Sequence, residues 1–289
     1  MRRFTALFAL LAAVLVLGAV PAGAITGNYT DDTIHPYVGL IAFYDKDDVF
    51  THRCSGSLLT PTVFLTAGHC TDATTGATHA RIWFQQDAGV GFDGTNPAPS
   101  GYPVSSDVTS SHLYNYGYPF GFPDTHDVGI VILDKPIAVG DEGFAGGFAS
   151  LASVGSLDRL ATKRGQQDVT FTASGYGLSL SNPVKTVSFR KRLMATEQLI
   201  NLRSHLTDGF NIQTTANPGN GKGGTCGGDS GGPLLYDSTN TIVAVNSFGL
   251  NQWCRGNDFM YRVDQAAVQA WIRATIGEAQ WSLVRVANL

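Results

Sequence analysis

The chain has 289 residues, with 19 Lys and Arg against 23 Asp and Glu, a formal net charge of −4, and 43% hydrophobic against 15% charged residues. That balance excludes an intrinsically disordered chain, and the lack of any basic stripe leaves no footprint for nucleic acid. Four cysteines and 34 glycines describe a folded, turn-rich protein.

At the start, Arg2 and Arg3 precede an apolar run over residues 4–20, followed by Pro21 and the small residues Ala22, Gly23 and Ala24. This is the layout of an export signal, and the run is short for a membrane span of about 20 residues. Cleavage is expected after Ala24, giving a signal peptide over 1–24. Val20 and Ala22 also satisfy the small-residue spacing, for cleavage after Ala22. Removal of 24 residues leaves 265, with 17 basic and 23 acidic, a charge of −6. In an exported chain, four cysteines read as two disulfides with three pairings open.

The mature chain carries short apolar runs at 37–44, 63–67, 81–84, 128–133, 169–173, 186–189 and 242–248, of strand length and β-branched or aromatic content. An all-β fold follows, barrel or sandwich. Between Asp87 and Asp127 lies a long loop rich in Gly, Pro and Tyr, including "YNYGYPFGFP" at 114–123. Helical spacing occurs once: Val263, Ala266, Ala267, Ala270, Trp271 and Ala274 share a face, with Asp264 as the expected cap.

The stretch "GTCGGDSGGPL" carries the chemistry. Ser230 stands between Gly227, Gly228, Gly231 and Gly232, which let the backbone approach a substrate closely. Such a loop can aim the N–H groups of Gly228 and Ser230 at a developing oxyanion. A Gly-Ser linker is the bland alternative, but it needs neither Cys226 nor Asp229 nor the apolar "PLLY" that follows. A serine nucleophile needs a base, and "LTAGHC" offers His69; the base needs a carboxylate, and "THDVGIVIL" offers Asp127 at the mouth of a strand.

These three motifs, "LTAGHC", "HDVGIVIL" and "GTCGGDSGGPL", resemble those of the trypsin or chymotrypsin-like serine peptidases, and the resemblance runs from Ile25 to about Ile276. The type it suggests is a secreted, bacterial-type member. It implies two six-stranded antiparallel β-barrels with a C-terminal helix and the active site in the cleft between them: barrel one over about 25–145, barrel two over about 146–262, the helix over about 264–276 and a tail over 277–289. His69, Asp127 and Ser230 would be catalytic, Gly228 and Ser230 the oxyanion hole, and the disulfides Cys54–Cys70 and Cys226–Cys254. Gly68, His126, the long aromatic loop and the tail depart from the family's pattern.

The resemblance further implies activation by a freed Ile25 ammonium beside Asp229, since "ITGN" is similar to the family's mature start. It puts Gly224 at the base of the substrate pocket, with Ser247, Phe248 and Gly249 in one wall and Asp258 opposite. An aspartate on the wall instead of at the base is read either as a charge that lets the pocket take basic as well as large apolar residues before the scissile bond, or as a solvated loop aspartate beside an apolar pocket. No metal or cofactor is needed. The implied partners are protein or peptide substrates and a protein inhibitor, with no nucleic acid, no membrane after signal removal, and a secreted monomer. A serine esterase, a catalytically weak homologue used as a binding module and a structural or adhesive secreted protein are the competing readings.

Overall fold

The structure, a computed structural model, describes residues 25–95, 101–103, 105–138, 147–161 and 168–289. The expected signal peptide over 1–24 lies outside them. Two strand systems share the described chain. In the first, strands run in the order Val108–Ser110, His79–Trp83, Val38–Tyr44, Phe50–Thr60, Val63–Thr66, Gly129–Ile132 and His112–Asn115. The two outer strands are consecutive in sequence, separated only by Ser111, so the sheet curls into a nearly closed barrel. In the second, Pro233–Tyr236, Thr170–Gly175, Leu193–Asn201, Asn211–Thr215, Asn257–Arg262 and Thr241–Gly249 form a closed ring, because the last strand pairs again with the first.

Each barrel is filled by its own apolar side chains. Leu40, Phe43, Phe64, Leu65 and Ile130 are fully buried in the first, and Phe171, Leu193, Ile212, Leu234 and Met260 in the second. Burying a side chain of this size contributes about 1.5–3 kcal/mol. The longest strand, Phe50–Thr60, is not visible as an apolar run. It reads "FTHRCSGSLLT", and its buried half includes Ser55 and Ser57. Gly56 is required there: a Cβ would lie 2.3 Å from the ring of Phe64. Leu193–Asn201 was hidden differently, because its inward positions alternate Leu193, Ala195, Glu197 and Leu199, with a carboxylate in the series. The run expected at 186–189 is a two-residue strand, Thr186–Val187.

Both chain ends attach to the second barrel. Thr26–Gly27 pairs with Gly223–Gly224, and Tyr29–Asp31 pairs with Leu193–Asn201, so residues 25–31, expected with barrel one, lie on barrel two. At the other end, the helix Ala266–Trp281 breaks its backbone at Gly277 and leads to Arg285–Ala287, which pairs in parallel with Ser150–Ala152. The tail over 277–289 is thus part of the helix and an added sheet edge. Asp264 does not cap the helix; the cap position is Gln265, without a side-chain bond. The Asp264 carboxylate is fully buried, accepting from Arg262 Nε at 2.8 Å, Arg262 Nη2 at 2.9 Å and Leu157 N at 2.9 Å. A buried guanidinium needs a partner more than a helix start needs a cap.

Candidate active site

His69 sits in a short 3-10 turn, Gly68–Cys70, at the end of Val63–Thr66, and the disulfide Cys54–Cys70 ties this turn to Phe50–Thr60. The turn passes so close to the strand entering at Val128 that a Cβ on Gly68 would lie 2.9 Å from Tyr118 Cβ and 3.0 Å from His126 O. This contact explains the glycine. Asp127 is 1% exposed and takes His69 N at 2.7 Å, His69 Nδ1 at 2.9 Å and the Ser247 hydroxyl. With Nδ1–H given to Asp127, Nε2 is left as the basic nitrogen. Burial pulls the His69 pKa down, but the charge and hydrogen bond of Asp127 outweigh it and raise the pKa above the ordinary histidine value.

Ser230 belongs to the second barrel and meets this pair at the seam. Its carbonyl accepts from Ser55 N at 2.8 Å, and Cys70 Sγ lies 3.9 Å from the same oxygen. Among the described residues no hydrogen bond joins Ser230 Oγ to His69; that contact is often loose before a substrate binds. The backbone of the loop is arranged more tightly. Gly227 O accepts from Leu178 N at 2.8 Å, and Asp229 O accepts from Gly232 N at 2.8 Å. Because a trans peptide points its N–H opposite its C=O, the N–H groups of Gly228 and Ser230 face away from these bonds. Neither has an acceptor among the described residues. Gly228 has φ +96°, a conformation other residues resist.

The Asp229 carboxylate anchors that loop from within. It is fully buried and accepts from Gly177 N at 2.7 Å and Cys226 N at 3.0 Å. Gly177 has no space for a side chain, since a Cβ would lie 2.4 Å from Asp229 Cγ. Burial lifts the Asp229 pKa to about 7, against the lowering effect of the two amides and of Arg53. No salt bridge reaches Asp229 among the described residues. Ile25, its expected partner, is fully buried at the head of the strand that pairs with Gly223–Gly224.

Beside Ser230 opens a cavity of about 230 Å³, lined by Thr225, Ser247, Phe248, Gly249 and Asp258 among others and flanked by the disulfide Cys226–Cys254. Gly224, expected at its base, is behind the lining: its backbone pairs with Thr26, and a Cβ there would meet Ala216 and Asp258. Thr225 takes the lining position. Asp258 is 3% exposed; its Oδ2 accepts from Thr225 N at 2.6 Å and Thr225 Oγ1 at 2.9 Å, while a Cβ on Gly249 would lie 3.6 Å from Oδ1. Burial raises its pKa to about 6. Behind it, fully buried Glu197 is raised well above the carboxylate range by burial and by Asp258, and its Oε2 bonds the Thr214 hydroxyl. Phe248 also lines a neighbouring pocket beside His69, where it joins Tyr118, Phe122 and Leu250 in an apolar wall.

Sequence reasoning missed Arg53, Ser55, Tyr176, Gly177 and Glu197. The first two had a signal: they are two residues apart, flanking Cys54, so one strand face presents both. The aromatic loop hid a strand, His112–Asn115, and then folds around His126, whose ring lies between Tyr116 at 4.4 Å and Phe120 at 4.1 Å.

The trypsin family model matches residues 24–272. Trypsin zeta of Drosophila erecta is 28% identical over 232 residues, 78% of this chain and 76% of that one, and serine protease 1 of Drosophila melanogaster is 27% identical over 230 residues with the same coverage. These insect relatives do not support the bacterial-type expectation. HL collagenase superposes with a TM-score of 0.61 at 19% identity, covering 88% of this chain and 98% of that one. Human heparin binding protein does so at 0.58, with 19% identity over 87% and 97% of the chains, and a scabies mite inactivated protease paralogue at 0.57, with 18% identity over 88% and 98%. Among the described residues no helix is long and apolar enough to cross a membrane. Fold, disulfides and the family match agree, and the chain belongs to the trypsin family.

Proposed function

We propose that the protein is a secreted serine endopeptidase that hydrolyses peptide bonds through an acyl-enzyme on Ser230. The observation that supports this most is the pair of unengaged N–H groups at Gly228 and Ser230, beside a His69 held by Asp127. His69 Nε2 takes the Ser230 proton as Oγ attacks the carbonyl carbon, and the buried Asp127 carboxylate stabilises the imidazolium. The carbonyl oxygen, now carrying charge, is received by the two N–H groups; losing one such donor typically costs about 2.7–4 kcal/mol. His69 returns the proton to the leaving amine, and water then repeats the sequence on the acyl-enzyme. An esterase would use the same groups. A binding module would not need the two donors free, although inactivated paralogues share the fold.

Activation by Ile25 belongs to the same reading. Asp229 is a fully buried carboxylate held by two backbone amides, which suits a site completed by an ammonium. Cleavage after Ala24 would supply it without a separate propeptide. For substrate choice, the cavity offers the ring of Phe248 and the carboxylate of Asp258 among otherwise polar lining residues, so basic and large apolar residues are both accepted. Asp258 is neutral below pH 6 and charged above it.

Ser230→Ala should abolish peptide-amide hydrolysis, by about 10⁶-fold in kcat, while secretion and the unfolding midpoint stay unchanged; hydrolysis near the wild-type rate would remove Ser230 as nucleophile. Because the effect of His69 cancels in a ratio, the arginine-to-phenylalanine ratio of kcat/KM should rise as pH increases through about 6 and be flat in Asp258→Gly. A pH-independent wild-type ratio would take Asp258 out of the pocket. A chain beginning at Ile25 should exceed one beginning at Gly23 by about 10²-fold in kcat/KM, the equivalent of breaking a buried pair worth about 3 kcal/mol; equal activities would refute the pairing with Asp229.

A further inference from the structure

We propose that Ser55 and Arg53 are positioning residues for the oxyanion site: side chains of the first barrel that hold a loop belonging to the second. The inference rests on reading the site as an acyl-transfer centre. Residues 53 and 55 are two apart on the strand Phe50–Thr60, so they project from the same face. That face is turned toward the second barrel. Ser55 is fully buried; its hydroxyl donates to Gly228 O at 2.9 Å and accepts from Tyr176 N at 2.9 Å. One hydroxyl has one proton to give and lone pairs to receive, so both bonds form at once. Its backbone N–H meets Ser230 O at 2.8 Å.

Arg53 completes the contact. Its Nη1 donates to Tyr176 O at 2.7 Å and its Nη2 to Ser188 Oγ at 2.8 Å. The guanidinium lies flat against the loop: Cζ and Nη2 are both 3.2 Å from the point where a Cβ of Gly228 would stand. Both backbone polar groups of Tyr176 are therefore held by side chains of the first barrel. The next residue, Gly177, gives its N–H to Asp229. The first barrel thus fixes the carbonyl of Gly228 directly and the carboxylate of Asp229 through residues 176–177, on either side of the peptide groups that present the two donors. A loop of five closely spaced glycines between residues 224 and 232 has little stiffness of its own, and the clamp supplies it.

The test is steady-state kinetics on peptide p-nitroanilides with wild type, Ser55→Ala, Ser55→Thr and Arg53→Met, together with inhibition by a peptide aldehyde that mimics the tetrahedral adduct. In Ser55→Ala, kcat should fall about 10²-fold, the effect of misplacing a reacting group by about an ångström, with KM within twofold and aldehyde affinity falling in parallel with kcat. Arg53→Met should show the same pattern more weakly, and Ser55→Thr, which keeps the hydroxyl, should recover most of the loss. Wild-type kcat in both Ser55→Ala and Arg53→Met, or a loss of kcat with aldehyde affinity unchanged, overturns the clamp alone. If Ser55→Ala does not fold, Arg53→Met decides by the same split between kcat and KM. Absence of turnover by wild type overturns the acyl-transfer reading and the clamp with it.

Discussion

The loop at 228–230 depends on a carboxylate kept away from water. Asp229 has no hydration shell to stabilise its charge, so two backbone amides, Gly177 N–H and Cys226 N–H, must do so. Those two bonds draw Gly177, just past the end of the strand Thr170–Gly175, and the disulfide-linked Cys226 onto the same point. Glycine is the only residue that permits this at 177, where any side chain would overlap the carboxylate. With Asp229 turned inward, the peptides on either side are turned as well, and the N–H groups of Gly228 and Ser230 point away from the bonds of Gly227 O and Asp229 O. With Gly227 O, Gly228 O and Asp229 O each bonded, the N–H groups of Gly228 and Ser230 have no acceptor among the described residues.

The seam between barrels gives this arrangement its second half. His69 and Asp127 come from strands of the first barrel, but Asp127 is also gripped by Ser247 of the second. Ser230 comes from the second barrel, but its carbonyl is gripped by Ser55 of the first. Each barrel thus fixes a group the other carries, and a shift of one against the other would disturb both at once. The same fold in an inactivated paralogue shows that the two-barrel frame does not by itself decide activity.

Much of this was legible in the sequence because chemistry and folding used the same signals. Glycines around Ser230, a histidine after an apolar strand and an aspartate before another can be read without a structure. The strands hidden from view are those whose inward positions are polar for a reason elsewhere. Ser55 breaks the apolar run of Phe50–Thr60 because its hydroxyl bonds Gly228 O across the seam, and Glu197 breaks Leu193–Asn201 behind the pocket. Asp264 was misread as a cap because its partner, Arg262, lies two residues before it on a strand. Local patterns describe neighbours along a helix or strand; they carry no record of which buried charge needs which counter-charge. Gly224, placed at the pocket base by motif spacing, has no side chain to line the cavity, and its neighbour Thr225 does so.

The most direct measurement is a crystal structure of the chain beginning at Ile25 with a peptide aldehyde bound. The account predicts a covalent bond to Ser230 Oγ, with the adduct oxygen about 2.7–3.1 Å from both Gly228 N and Ser230 N. An aldehyde that binds without reacting, or an adduct whose oxygen leaves those two N–H groups unbonded, would contradict it.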